Sequence, residues 1–118
     1  MIKVIIAGGR DFNDHELMDT EFLNRFNKYT KEEMQIVSGM AQGADSAGVK
    51  LAEDYNLDVV KYPALWHMYG RSAGYKRNVK MAENATHLLA FWDGKSKGTE
   101  HMINIANKLQ LRVAVVNY

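Results

Sequence analysis

The sequence predicts an α/β fold, a single Rossmann-like doubly wound parallel sheet of about five strands in the order 3-2-1-4-5, with helices on both faces. Two observations lead to it. Short apolar runs alternate with longer amphipathic segments, five of the first to four of the second. Each connection is also long enough to hold a helix, which favours parallel strands joined by right-handed crossovers.

The elements follow in order. IKVIIA (2–7) is β-branched and ends on Gly8-Gly9, the pattern of a buried strand. Asn13 with Glu16 three residues later has the capping-box pattern of a helix start, and Leu17, Met18, Phe22, Phe26 and Tyr29 form a rough helical stripe. MQIVSG (34–39) reads as the second strand. In the next segment Ala44, Ala47, Gly48, Leu51, Ala52 and Tyr55 mark one helix face, small enough at its start for close packing on a sheet. DVVKY (58–62) is the third strand, ended by Pro63, the chain's one proline. Residues 64–72 read as irregular. Residues 73–85 read as a helix with Tyr75, Val79 and Ala82 on one side, THLLAFW (86–92) as the fourth strand, about 99–109 as the last helix, and RVAVV (112–116) as the fifth strand.

Bulk properties narrow the function classes. The 118 residues fit one domain, 1–118, and 47% hydrophobic residues suffice for one modest core. A net charge of +1 gives no global attraction to DNA or membrane, so any electrostatic site is local. With no cysteine there is no disulfide framework and no thiolate chemistry, which fits a cytoplasmic setting. The start, MIKVIIAGG, is too short in its apolar run for a signal peptide, and no stretch approaches the roughly 18 apolar residues of a membrane helix. The four histidines, at 15, 67, 87 and 101, lack metal-ligand spacing; neither a metal nor a cofactor is expected. His87 is expected to be packed inside its strand.

In a sheet of this order, ligands bind beyond the carboxyl ends of the strands where the order reverses, between strands one and four. The loops there are Gly8-Gly9-Arg10-Asp11-Phe12 and Asp93 to Thr99, with SGMAQGAD (38–45) next door. All three are glycine-rich and each feeds a helix start, where free N–H groups and the positive dipole end favour anions. The ligand-binding candidates are therefore Gly8, Gly9, Arg10 and Asp11; Ser38, Gly39, Gln42, Gly43 and Asp45; and Gly94, Lys95, Ser96, Lys97, Gly98, Thr99 and Glu100. Arg10 suits a phosphate or base, or else a surface ion pair. Lys95 and Lys97 offer point charges to a phosphate, or are merely solvated. Ser38 and Gln42 suit ribose or base edges. Asp45 and Thr99 also read as helix caps, and Asp11 as a brace for Arg10.

Two common nucleotide motifs are absent. GKS stands at 94–96, but Leu89 occupies the first glycine position of a P-loop. No G-x-G-x-x-G follows the first strand, and the second ends on Ser38 instead of the acid that holds an adenosine ribose. The stretch ALWHMYGRSAGYKRN (64–78) interleaves Trp66, Tyr69 and Tyr75 with His67, Arg71, Lys76 and Arg77, a composition suited to base stacking or to an aromatic patch under a partner. Met81, Met102 and Ile103 offer an apolar face for a homodimer through the last two helices.

Together AGGRDF (7–12), SGMAQGAD (38–45), RNVKMA (77–82) and GKSKGTEHMINIA (94–106) resemble the SLOG superfamily, most of all its small stand-alone YspA/YpsA-related branch. The superfamily also groups domains similar to the DNA-processing protein DprA/Smf and to the lonely-guy phosphoribohydrolases. The resemblance implies a nucleotide or nucleotide-derived ligand, ADP-ribose-like, bound as a sensor or sequestering module. It offers two alternatives: N-glycosidic hydrolysis of a nucleoside 5′-monophosphate, and single-stranded DNA binding. For the hydrolase it implies Arg77 on the phosphate, with Asn78 replacing the family lysine, and a catalytic carboxylate for which Glu100 is the candidate. The family's glutamate stands three residues after the threonine; here that position is Ile103, and Asp93 replaces the motif's proline. This weights the reading toward binding without hydrolysis.

Overall fold

The computed structural model describes all residues, Met1–Tyr118. Five parallel strands form one sheet in the order β3-β2-β1-β4-β5, as the sequence predicts. They are β1 (Ile2–Gly8), β2 (Met34–Ser38), β3 (Asp58–Lys61), β4 (His87–Trp92) and β5 (Arg112–Asn117). Val4, Ile5 and Ile6 at the centre of β1 are completely buried because both faces of a parallel sheet are covered. The register pairs Ile5 with Val37 and Leu88, and Gly8 with Phe91.

Helices α1 (His15–Phe26) and α2 (Ala44–Asp54) cover one face; α4 (Ala73–Glu83) and α5 (Lys97–Lys108) cover the other. Alternation along β1 divides the core accordingly. Val4 and Ile6 pack with Met18, Phe22 and Leu51, whereas Ile5 and Ala7 pack with Met81, Ala82 and Met102. The small face of α2 allows the close approach the sequence suggests: a Cβ on Gly48 would lie 2.9 Å from Ile6. No helix is long and apolar enough to cross a membrane.

Some expectations need correction. The first helix is capped by Asp14, whose Oδ1 accepts from the Leu17 amide at 3.0 Å, and not by Asn13. Both residues suit the role, and register decides. The segment read as irregular carries a short helix, α3 (Trp66–Tyr69), and a 3₁₀ turn, Gly70–Ser72. The last helix starts at Lys97, two residues before Thr99. Two of the three residues of the expected dimer face are not on the surface: Met81 and Met102 are each 1% exposed and belong to the core beneath α4 and α5, while Ile103 is half-buried. His87 is half-buried, at the start of β4, with Nδ1 2.7 Å from Thr86 Oγ1 and its ring edge-on to Phe26.

Candidate functional site

A crevice of about 500 Å³ opens at the carboxyl ends of β1 and β4, where the strand order reverses. Gly8 to Asp11 form one wall, Ala41 and Asp45 a second, and Asp93, Ser96, Gly98 and Thr99 a third. Trp66, Arg71 and Tyr75 border it from the α3–α4 segment.

Arg77 on α4 is central. Its Nη1 donates to the Gly39 carbonyl beyond β2, and its Nε donates to Asn78 Oδ1 at 3.0 Å. Nη2 has no protein acceptor, and no carboxylate lies within ion-pair distance of the guanidinium. The side chain is half-buried, and burial lowers its pKa from the ordinary arginine value while the charge of Asp45 opposes that shift. Gly39 makes the arrangement possible: a Cβ there would lie 2.5 Å from Arg77 Nη1 and 2.8 Å from Asp45 Oδ2.

Asn78 is 6% exposed and ties α4 to the start of α5. Its Nδ2 donates to the Gly98 carbonyl at 3.3 Å and lies 3.2 Å from His101 Nδ1. The buried amide thereby fixes Arg77 from behind and sets the entry to α5. Partial burial lowers the His101 pKa, and the ring packs 4.5 Å from Tyr75.

Asp45 stands in the first turn of α2, 5% exposed, with Oδ2 accepting from the Ala41 amide at 3.3 Å. The cap position itself is Gly43, so Asp45 closes the loop from inside the helix. Burial raises its pKa, against the charges of Arg77 and Arg10. Gly43 has φ +78°, and a Cβ there would meet the Gly9 carbonyl at 2.2 Å. That carbonyl accepts from the Ala44 and Phe12 amides, which locks the first two loops together.

Asp11 does not brace Arg10. Its Oδ1 accepts from the Tyr118 hydroxyl at 2.6 Å, and the Tyr118 ring lies edge-on to Phe12. A Cβ on Gly9 would strike that hydroxyl at 2.0 Å. Burial and the neighbouring carboxylate both raise the Tyr118 pKa, so it remains a neutral donor. Tyr118 carries no signal of this role in the sequence because it stands just beyond the periodic run of β5.

The DGKSKGTE loop is organised by its own first residue. Asp93 Oδ1 accepts from the Lys95 amide at 2.8 Å and the Ser96 amide at 2.9 Å, which lowers the Asp93 pKa. The signal was present: aspartate readily bonds amides two and three residues on. Two of the N–H groups expected to cradle an anion are thereby occupied. Ser96 Oγ caps α5 by accepting from the Thr99 amide, and buried Thr99 bonds back to it. The Lys97 and Gly98 amides of the first turn have no backbone or side-chain acceptor, and Gly98 borders the crevice.

Of the expected ligand residues, the crevice brings together Gly8, Gly9, Arg10, Asp11, Asp45, Arg77, Asn78, Ser96, Gly98 and Thr99. Ser38, Gly39, Gln42, Gly43, Gly94, Lys95, Lys97 and Glu100 do not line it. Ser38 is turned inward, accepting from the Met40 amide. Lys95 and Lys97 are exposed. No three His, Asp or Glu side chains converge as a metal-ion cluster requires.

Fold and crevice define a class: a doubly wound α/β domain whose loops converge on a half-buried, anchored arginine at the switch point. Within that class, the profile of the YspA, cpYpsA-related SLOG family matches residues 2–69, and the chain belongs to that family. The gene 61 protein of Mycobacterium phage D29 is 29% identical over 124 residues, covering 100% of this chain and 97% of that protein. Among solved structures, DNA processing protein A (DprA) from Streptococcus pneumoniae shares the fold with a TM-score of 0.72 at 16% identity. That likeness covers 100% of this chain but 51% of the other, so the chain spans about half the length of that protein.

Proposed function

We propose that the domain binds a nucleotide or nucleotide-derived ligand, ADP-ribose-like, in the crevice and acts as a sensor or sequestering module in the cytoplasm. The observation that carries this is Arg77. Its guanidinium is anchored through Nη1 and Nε, is unpaired with any carboxylate, and keeps Nη2 free at a glycine-walled crevice. A pre-positioned arginine with donors to spare suits a phosphate better than a mobile lysine does. The unpaired Gly98 amide at the start of α5 adds a second donor beside it. Trp66 and Tyr75 at the rim suit the face of a base.

One observation favours a second reading, a phosphoribohydrolase-like enzyme. Cleaving an N-glycosidic bond builds positive charge on the sugar and requires an acid or carboxylate nearby. Glu100 does not line the crevice, but Asp45 does, buried and with a raised pKa beside Arg77. Asp45 is therefore the group to test for this chemistry.

Thermal-shift screening with AMP, GMP, NAD, ADP-ribose and cyclic dinucleotides, followed by chromatography of the ligand, separates the readings. Stabilisation with the ligand recovered intact supports the binding module. Release of ribose 5-phosphate, abolished in Asp45→Asn, supports the enzyme. No stabilisation by any nucleotide contradicts both.

A further inference from the structure

A second cavity, of about 460 Å³, lies beside the first along the carboxyl edge of the sheet, beyond β3. Arg77 lines both cavities. The second is a basic groove: Lys61 at the end of β3, and Lys76, Arg77 and Lys80 on α4, meet there with no acidic residue in the lining. None of the four is in an ion pair. In a chain of fifteen Lys and Arg against fourteen Asp and Glu, four cations in one concavity are a local concentration that overall charge balance does not explain. Like charges so placed repel one another unless an anion neutralises them. Tyr62 and Tyr69 also line the groove; Tyr69 is 44% exposed, with Lys76 Nζ 5.1 Å from its ring centroid.

Unpaired cations beside an exposed aromatic ring, that of Tyr69, suit a phosphodiester linkage, with phosphate on the cations and a base on the ring. The crevice has a different balance, with Asp11, Asp45 and Asp93 set among Arg10, Arg71 and Arg77. A further phosphate is better accommodated in the groove, across Arg77. We propose that the groove is a second nucleotide subsite that shares Arg77 with the crevice, so that the ligand is a phosphodiester-linked dinucleotide and not a lone mononucleotide. This rests on the nucleotide reading of the crevice.

Titration calorimetry with AMP, with the 5′-phosphorylated adenylyl dinucleotide pApA, and with inorganic tripolyphosphate tests it. The dinucleotide should bind at least about tenfold more tightly than AMP, the gain expected from one added stacked base and its phosphate. The triple variant Lys61→Gln/Lys76→Gln/Lys80→Gln, all at exposed positions, should erase that gain and leave AMP affinity within about twofold. Its melting curve checks that the fold is kept. The salt dependence of pApA binding should also fall toward that of AMP. Equal affinity for AMP and pApA overturns the proposal and leaves the crevice reading standing. So does tripolyphosphate that binds as tightly as pApA, or a triple variant that weakens AMP equally. Failure of both AMP and pApA to bind overturns both.

Discussion

The crevice and the groove share Arg77 but hold it in opposite surroundings. On the crevice side the arginine is set among carboxylates and backbone groups fixed by loop contacts: Asp45 to Ala41, Asp11 to Tyr118, Asp93 to Lys95 and Ser96. On the groove side it stands among exposed lysines and two tyrosines, with no acid present. A rigid, charge-balanced cavity supplies shape and directed hydrogen bonds. A single-sign groove of exposed cations supplies attraction that salt weakens. Recognition and attraction can thus be allotted to neighbouring stretches of one sheet edge, with one arginine common to both.

Removing the shared residue breaks both sides at once and should have the largest effect. Arg77→Ala should weaken nucleotide binding about a hundredfold, near 3 kcal/mol for lost charge-assisted bonds, as calorimetry reads it. Arg77→Lys should recover little, because an ammonium cannot reproduce the anchored fork.

Gly43→Val attacks only the crevice. It forces a β-branched side chain into φ +78° and drives a Cβ into the Gly9 carbonyl. A loss of about 2 kcal/mol or more in stability, read by denaturant unfolding, is expected together with weakened binding.

Asp45→Asn sharpens the comparison through pH. Burial raises the Asp45 pKa above its ordinary 3.8, so the folded protein holds this proton more tightly than the unfolded chain does. Ionising the carboxyl therefore costs stability, beginning near the ordinary value and growing as pH rises through the raised one. The variant should melt above the parent at pH 7, and the two should converge below about pH 4.

The smallest effect belongs to the loop lysines. Lys95→Gln/Lys97→Gln should change affinity by no more than about twofold, since neither residue lines either cavity.

The parallel sheet was legible in the sequence because buried parallel strands are continuous apolar runs and their crossovers are helical stripes; alternation alone permits more than one doubly wound order, and the expected 3-2-1-4-5 is the one the structure has. The convergence of the glycine loops was legible for the same reason. Their inner bonding was not: glycine content in DGKSKGTE says nothing of whether the loop amides are free, and Asp93 occupies two of them. Periodicity likewise marked Met81 and Met102 as apolar without saying which surface they meet, and the core claims both. The partnership of Arg77 with the Gly39 carbonyl joins residues 38 positions apart, a distance no local pattern spans.

The most direct test of the central claim is an amide and arginine Nε correlation spectrum recorded as AMP is added to uniformly ¹⁵N-labelled protein. Saturable shifts are expected at Arg77 Nε and at the Gly9, Gly39 and Gly98 amides, with Lys95 and residues around the remote end of β5 unmoved. Shifts centred away from Arg77, or none at saturating nucleotide, would contradict it.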